Sequence, residues 1–232
     1  MTLELKGVRA SLQGVPILQG VDLALERGEV LALLGRNGAG KTTTLRTIMG
    51  LADLSGGQLT LDGRPLTGLP TWQRARNAVY FVPEDGGVFQ DLTVLENLRL
   101  AGRGQPEQVL TAFPELRPLW QRRAALLSGG ERKILALARA ALSQSRWLLI
   151  DEPSLGLAPA VLRRLGQAIR DLRSSCGILL VEQNLRFAQA VADRFVLMQR
   201  GQTVDEGSIG NLRQSPFFAQ AMTFGQKGGD PA

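Results

Sequence analysis

The sequence predicts an α/β fold with a mainly parallel core sheet, an N-terminal antiparallel β-subdomain and an inserted α-helical subdomain. Three observations predict this fold. Strand-like segments dominate the first 61 residues, a glycine-rich loop at residues 35–42 leads into a helix-like segment, and helices alternate with apolar strands after residue 130. Because 232 residues suffice for one full core, we expect a single domain over residues 1–232. The helical subdomain is expected at approximately residues 85–143.

The N-terminal strands are predicted from short apolar segments that end at turn-forming residues. Gly56-Gly57 opens one of these segments, Asp62-Gly63 ends it, and Pro83 ends another. The predicted strands are residues 3–8, 17–26, 29–34, 58–61 and 78–82.

The rest of the chain is predicted to alternate between helices and strands. Residues 92–126 have a helical pattern that three prolines interrupt, which indicates a small helical lobe. The helices predicted after it are residues 130–142, 159–173 and 185–191, the strands are 147–150 and 178–181, and a final hairpin covers 194–204. Since parallel strands need crossover connections, this order favours a mainly parallel, right-handed sheet.

Composition excludes several classes of function. Hydrophobic residues make up 44% of the chain, and no apolar run is long enough to cross a bilayer. The first residues lack a signal-peptide core, so we expect the chain to stay in the cytosol. The single cysteine, Cys176, excludes an internal disulfide and is expected to fill the core, while the absence of histidine excludes imidazole metal sites. The net charge of +6 comes from scattered arginines, which we attribute to solvated helix faces and not to a nucleic-acid surface.

Residues 35–42 have the composition and the context of a phosphate-binding loop. They follow an apolar run at residues 30–34 and lead into a helix-like segment, which argues against a chance glycine-rich turn. Glycines let backbone N–H groups turn towards phosphate oxygens, Lys41 can reach the terminal phosphates, and the Thr42 hydroxyl can bind the accompanying Mg²⁺. We therefore expect a nucleoside triphosphate to bind at Gly35, Arg36, Asn37, Gly38, Ala39, Gly40, Lys41, Thr42 and Thr43.

Two carboxylates, Asp151 and Glu152, end the apolar segment at residues 147–150. A buried strand can place Asp151 beside the phosphate loop, where it can hold Mg²⁺. Glu152 can then face the γ-phosphate and orient or deprotonate the attacking water. Acidic pairs at strand ends are otherwise often only solvated, but the phosphate loop favours the catalytic interpretation.

A third motif lies at the start of the helix near residue 130. Its serine and glycines form either an ordinary helix cap or a second anion-binding cap. One domain has little need for two triphosphate sites, so we expect this cap to close over a nucleotide held by another subunit. This interpretation predicts a head-to-tail dimer with two ATP molecules at the interface. The motif consists of Ser128, Gly129, Gly130 and Glu131 after Leu127.

Together and in this order, the three motifs resemble those of the ATP-binding subunits of ATP-binding-cassette (ABC) transporters, which are P-loop NTPases. The resemblance covers roughly residues 2–212. Residues 151–159, Asp-Glu-Pro-Ser-Leu-Gly-Leu-Ala-Pro, are most similar to the branched-chain amino acid uptake group. So are residues 81–84, where Glu84 replaces the usual glutamine, and residues 181–184, where Gln183 replaces the usual histidine.

The resemblance implies a role for each motif residue. Thr42 and Asp151 serve Mg²⁺, Glu152 is the general base, and residues 128–131 contact the partner's ATP. Glu84 senses the metal, binds it more strongly than an amide does, and contacts the membrane partner. Gln183 can donate to the γ-phosphate without a positive charge, which implies modest hydrolysis.

One residue departs from the family at the nucleotide base. Leu12 occupies the position of a tyrosine that usually stacks on adenine. Because aromatic stacking on a base is worth about 1–3 kcal/mol in single-strand nucleic-acid binders, its loss implies weaker selectivity for ATP over GTP.

The implied cofactors are ATP and Mg²⁺. The implied partners are integral-membrane permease subunits, a second ABC ATPase subunit that is identical or different, and, indirectly, a solute-binding protein. The chain is then peripheral at the cytoplasmic face of the inner or plasma membrane, where it powers uptake of branched-chain or other hydrophobic amino acids. Two alternatives remain: uptake of urea, amides or another small solute, and a soluble ABC ATPase without a permease.

Overall fold

A computed structural model describes residues 1–76, 78–102 and 104–222. The strands are β1 (Thr2–Leu12), β2 (Val15–Glu26), β3 (Val30–Leu34), β4 (Asp53–Leu61), β5 (Arg64–Pro65), β6 (Val79–Val82), β7 (Trp147–Asp151), β8 (Gly177–Glu182), β9 (Arg194–Gln199) and β10 (Gln202–Ser208). The α-helices are α1 (Lys41–Met49), α2 (Thr71–Arg76), α3 (Val94–Arg99), α4 (Gly129–Ser143), α5 (Pro159–Arg173), α6 (Leu185–Val191) and α7 (Phe218–Met222). None of these helices is long and apolar enough to span a membrane.

The strands form one sheet in the order β5-β4-β1-β2-β10-β9-β3-β8-β7-β6. Pairing is parallel from β9 through β3, β8 and β7 to β6, and antiparallel among β1, β2, β4 and β5. This arrangement confirms the predicted parallel core with an N-terminal antiparallel part. β1 extends past the predicted end at residue 8, where register shifts between Val8 and Arg9 and between Ala10 and Ser11 interrupt the alternating pattern without ending the strand.

Two buried clusters cover the two faces of the sheet, and β3 contributes to both. Val30, Ala32 and Leu34 belong to one cluster, while Leu31 and Leu33 belong to the other. Since alternate residues of a strand point to opposite faces, this pattern places β3 inside the core on both sides. The end of β3, from which the phosphate loop starts, is therefore held rigidly from both faces.

The segment at residues 85–143 connects the parallel neighbours β6 and β7. Before α4 its described part holds one α-helix, α3, and 3₁₀ turns at Pro106–Val109, Pro114–Leu119 and Ala124–Leu126. The lobe is thus less regularly helical than the pattern of residues 92–126 predicts, because Pro106 and Pro114 each begin a short turn. Its buried Phe113 and Leu116 pack in the same cluster as Ala32, so the lobe extends the main core.

Candidate functional site

The phosphate loop connects the end of β3 to the start of α1. A Cβ added to Gly40 would lie 2.8 Å from Leu18 Cδ2, and the φ of 104° at Gly40 disfavours any residue other than glycine. Gly38 has a φ of 79° and open space for 4 Å beside its Cα. At that position a phosphate can approach the backbone N–H groups closely, which a side chain would prevent. The loop therefore has the shape that an anion cradle requires.

Lys41, the first residue of α1, is buried within this loop. Its ammonium donates to the carbonyl oxygens of Gly35 at 2.9 Å and Arg36 at 3.2 Å, and lies 3.5 Å from Glu152 Oε1. Burial lowers the pKa of Lys41, and the Glu152 carboxylate opposes that shift. The positive charge is consequently held between the loop and Glu152, where phosphate oxygens can share it.

Thr42 and Asp151 meet next to this lysine. The Thr42 hydroxyl donates to Asp151 Oδ1 at 3.2 Å. Burial raises the pKa of Asp151, which is only 3% exposed, and the Thr42 hydrogen bond opposes the shift. Both residues line an open cleft of about 460 Å³ together with the exposed Glu84. Oxygen donors at a cleft of this kind suit Mg²⁺.

The oxygen donors of Thr42 and Asp151 do not by themselves form a complete metal site. Among the described residues, no group of three or more acidic or cysteine side chains could hold a metal ion by itself. Mg²⁺ commonly binds through one or two protein oxygens together with phosphate and water. Thr42 and Asp151 therefore fit a metal ion that arrives with a nucleotide.

Glu152 follows β7 in an unusual backbone conformation. Its φ is 42°, in the left-handed region that residues other than glycine seldom adopt. The Glu152 N–H donates to the Val181 carbonyl oxygen at 3.0 Å, and Glu152 Oε1 accepts a hydrogen bond of 2.6 Å from Gln183 Nε2. Gln183 Nε2 also donates to Asn37 Oδ1. A hydrogen-bonded chain thus joins the end of β7, the loop after β8 and the phosphate loop.

Glu182 is a buried carboxylate to which the sequence interpretation gave no role. Its oxygens accept from the Ser154 N–H at 3.0 Å and the Ser154 hydroxyl at 2.8 Å, and from the N–H groups of Gln183 at 3.2 Å and Asn184 at 3.1 Å. Burial raises the pKa of Glu182, and these donors oppose the shift. Glu182 therefore holds the loop after Glu152 against the loop that carries Gln183. Its position directly after the apolar run at residues 178–181 was the signal in the sequence that could have indicated a role for Glu182.

The residues near 130 form a helix cap on α4. Glu131 Oε2 accepts from the Ser128 N–H at 2.7 Å, and the Glu131 N–H donates to the Ser128 hydroxyl at 3.2 Å. A Cβ on Gly130 would lie 3.0 Å from Val161 Cγ1, whereas nothing lies within 4 Å of one on Gly129. The cap is thus supported by α5 on one side and open at Gly129.

Leu12 is the last residue of β1 and is partly buried opposite Val15. The β1–β2 hairpin packs on the phosphate loop through Leu18, which lies beside Gly40. Gly201 completes the contact, since its N–H donates to the Ala39 carbonyl oxygen at 2.9 Å. Cys176 is a buried free thiol, which confirms the expectation that it fills the core. Burial raises its pKa to about 11.

Comparison with known proteins agrees with this geometry. Residues 18–155 match the protein family described as ABC transporter. The high-affinity branched-chain amino acid transport ATP-binding protein BraG of Pseudomonas aeruginosa is 38% identical over 220 residues, which are 91% of this chain and 94% of BraG. The probable branched-chain amino acid transport ATP-binding protein LivF of Archaeoglobus fulgidus is 35% identical over 221 residues, with 91% and 94% of the two chains covered.

A solved structure of the ATP binding subunit of an ABC transporter has the same fold. It matches with a TM-score of 0.81 at 29% identity, and the match covers 96% of each chain. This similarity agrees with the phosphate loop, the paired carboxylates and the sheet order, which all indicate the same family. The chain belongs to the ABC transporter family, as an ATP-binding subunit that hydrolyses ATP.

Proposed function

We propose that this chain powers a membrane importer for branched-chain or other hydrophobic amino acids. The observation that carries the proposal is the similarity to BraG and LivF, which extends over 91% of the chain in both cases. The sequence of residues 151–159, together with Glu84 and Gln183, also resembles the branched-chain amino acid uptake group. Uptake of urea, amides or another small solute is the second candidate, because the ATPase subunit does not contact the cargo.

In this proposal the phosphate loop binds the triphosphate through its backbone N–H groups and Lys41. Oxygens of Thr42, Asp151 and Glu84 would hold Mg²⁺, which would supply positive charge to the bound phosphates. Lys41 exchanges its 3.5 Å contact with the Glu152 carboxylate for a contact with the γ-phosphate, since both groups are anionic. Binding thereby frees the Glu152 carboxylate to accept a proton.

Hydrolysis then requires a positioned water and a base. The water oxygen attacks the γ-phosphorus, its proton passes to Glu152, and the bond to the bridging oxygen breaks so that ADP leaves. Gln183 orients Glu152 through its 2.6 Å hydrogen bond, and its second N–H can donate to the γ-phosphate once it releases Asn37. A neutral amide stabilises the transition-state charge less than a cation, so hydrolysis is modest.

The second half of each site comes from another ATPase subunit, identical or different. Ser128, Gly129, Gly130 and Glu131 face the ATP held by that subunit, and the open space beside Gly129 supports this role. A head-to-tail dimer binds two ATP molecules in this way. Closure of the dimer on ATP and its reopening after hydrolysis drive the permease between its two orientations.

The permease contacts the lobe between β6 and β7 at the cytoplasmic face of the inner or plasma membrane. Phe89, Leu100 and Leu126 in this lobe are 50%, 58% and 62% exposed. These exposed apolar side chains are available for contact with a protein partner. A solute-binding protein acts indirectly by delivering cargo to the permease.

Purification of the chain from its native membranes in mild detergent, with partners identified by mass, tests the proposal. We expect two hydrophobic permeases and an ATPase partner to co-purify. Recovery from the soluble fraction with only soluble partners would contradict the importer function and favour a soluble ATPase. ATP turnover of the recovered complex with a leucine-loaded or a urea-loaded binding protein then separates the two solute classes.

A further inference from the structure

Lys133 joins three segments of the site that the proposed mechanism treats separately. It lies on α4, and its ammonium donates to the carbonyl oxygen of Glu84 and, at 3.1 Å, to that of Glu152. Glu84 follows β6 and Glu152 follows β7, so one side chain connects both loops to the helix that Ser128 caps. The chain's other described lysines do something else, because Lys41 lies in the phosphate loop and Lys6 pairs with Glu4 on the surface.

The Lys133 ammonium donates to main-chain oxygens of Glu84 and Glu152 and not to the carboxylates of these residues. Burial lowers the pKa of the half-buried Lys133 ammonium, and the nearby carboxylates of Glu84, Glu182, Asp151 and Asp85 oppose that shift. Fixing a carbonyl group fixes the peptide plane, and hence the direction in which the side chain of that residue leaves the backbone. Lys133 therefore orients Glu84 and Glu152 without occupying their carboxylates.

The backbone of Glu152 needs such support. A non-glycine residue in the left-handed region is strained and persists only where its surroundings hold it. At Glu152 the N–H is held by the Val181 carbonyl oxygen, and the carbonyl is held by Lys133, with a longer contact of 3.4 Å from the Leu155 N–H. Without Lys133 the carbonyl end of this peptide keeps only the weaker contact.

We propose that Lys133 is a positioning residue for ATP hydrolysis. It keeps Glu152 in the orientation that abstracts a proton and couples that orientation to the Glu84 loop and to α4. The inference rests on the proposed role of Glu152 as general base. Because Lys133 acts on the backbone and not on the nucleotide, its loss lowers kcat and leaves the affinity for Mg²⁺-free ATP unchanged.

Lys133→Met in the purified transporter complex tests this role, since methionine keeps the length of the side chain but cannot donate. A 1 Å misplacement of a catalytic group can cost about 100-fold, so we expect kcat to fall by roughly 10- to 100-fold. The dissociation constant for Mg²⁺-free ATP stays within about twofold, and the melting temperature falls by no more than a few degrees. Lys133→Arg, which keeps a charged donor, restores part of the rate. Lys6→Met is the matched control and leaves kcat unchanged.

A double-mutant cycle with Glu152→Gln separates this inference from the proposed function. If Lys133 acts through Glu152, Lys133→Met lowers the single-turnover rate little further once Glu152 is replaced. Full additivity of the two losses would overturn the inference, as would an unchanged kcat in Lys133→Met beside an inactive Glu152→Gln. Parallel losses of melting temperature and ATP affinity would show a merely structural role. Unchanged turnover in Glu152→Gln itself would instead overturn the base assignment in the proposed function.

Discussion

Glu152→Gln preserves the size of the side chain and removes the carboxylate on which the proposed hydrolysis depends. The amide can still accept the hydrogen bond that Gln183 Nε2 makes to Oε1 at 2.6 Å, so the local geometry is retained. It cannot accept a proton from the attacking water. General bases contribute about 10²–10⁴-fold to rate, which corresponds to about 3–5 kcal/mol of transition-state stabilisation. We therefore expect kcat to fall by at least about 100-fold.

The same substitution has the opposite consequence for ATP binding. Glu152 Oε1 lies 3.5 Å from the buried Lys41 ammonium and competes with the phosphates for it. Since glutamine does not compete electrostatically, the dissociation constant for MgATP stays equal or becomes smaller. In the nucleotide-free chain the melting temperature falls slightly, because Lys41 loses its anionic neighbour.

Steady-state phosphate release and MgATP binding by the purified complex measure the two effects. Glu26→Gln, on the exposed end of β2, is the matched control and changes neither quantity. Turnover of Glu152→Gln within about threefold of wild type would refute the base assignment. Loss of turnover accompanied by loss of ATP binding would show that Glu152 shapes the site and does not act as a base.

Three further substitutions give separate outcomes. Burial raises the pKa of Asp151, so the folded chain binds a proton at this carboxylate more tightly than the unfolded chain does. The contribution of Asp151 to the free energy of unfolding therefore falls as pH rises from the ordinary carboxyl range towards the raised pKa. Calorimetry without nucleotide should show that Asp151→Asn is a few degrees more stable at pH 7, with a smaller gain at pH 4; an equal gain at both would contradict this. Leu12→Tyr should tighten ATP by roughly 5- to 150-fold from about 1–3 kcal/mol of stacking, while the affinity for tripolyphosphate stays constant; tightening of both would exclude a base contact. Glu182→Ala leaves the donors of Ser154 without their buried acceptor, so urea unfolding should show a loss on the order of 3 kcal/mol; a loss below about 1 kcal/mol would mean that water replaces the carboxylate.

Contiguous motifs explain how much of the site was predictable from the sequence. The phosphate loop and the Asp151-Glu152 pair each lie within a few residues of a buried strand, and the structure brings Thr42 and Asp151 to 3.2 Å. The alternation of helices and strands likewise predicted the parallel core, because crossover connections leave a local pattern.

Contacts between distant residues were not predictable in this way. Lys133 and Glu84 are 49 positions apart, and Glu182 and Ser154 are 28 apart, so only the packing of the sheet and of α4 places them together. An ordinary charged residue on a helix gives no local sign that it will reach a main-chain oxygen. The continuation of β1 beyond residue 8 was missed for a related reason, since the register shifts after Val8 and after Ala10 break the two-residue period.

The dependence of ATP hydrolysis on the permease tests the importer function most directly. The measurement is ATP turnover by the complex purified from native membranes and placed in liposomes, with and without a leucine-loaded binding protein. We expect the loaded protein to raise turnover several-fold and labelled leucine to accumulate, and expect Glu152→Gln to abolish both. Turnover that is independent of the permease and of every amino acid tested, with no accumulation, would contradict the proposed function.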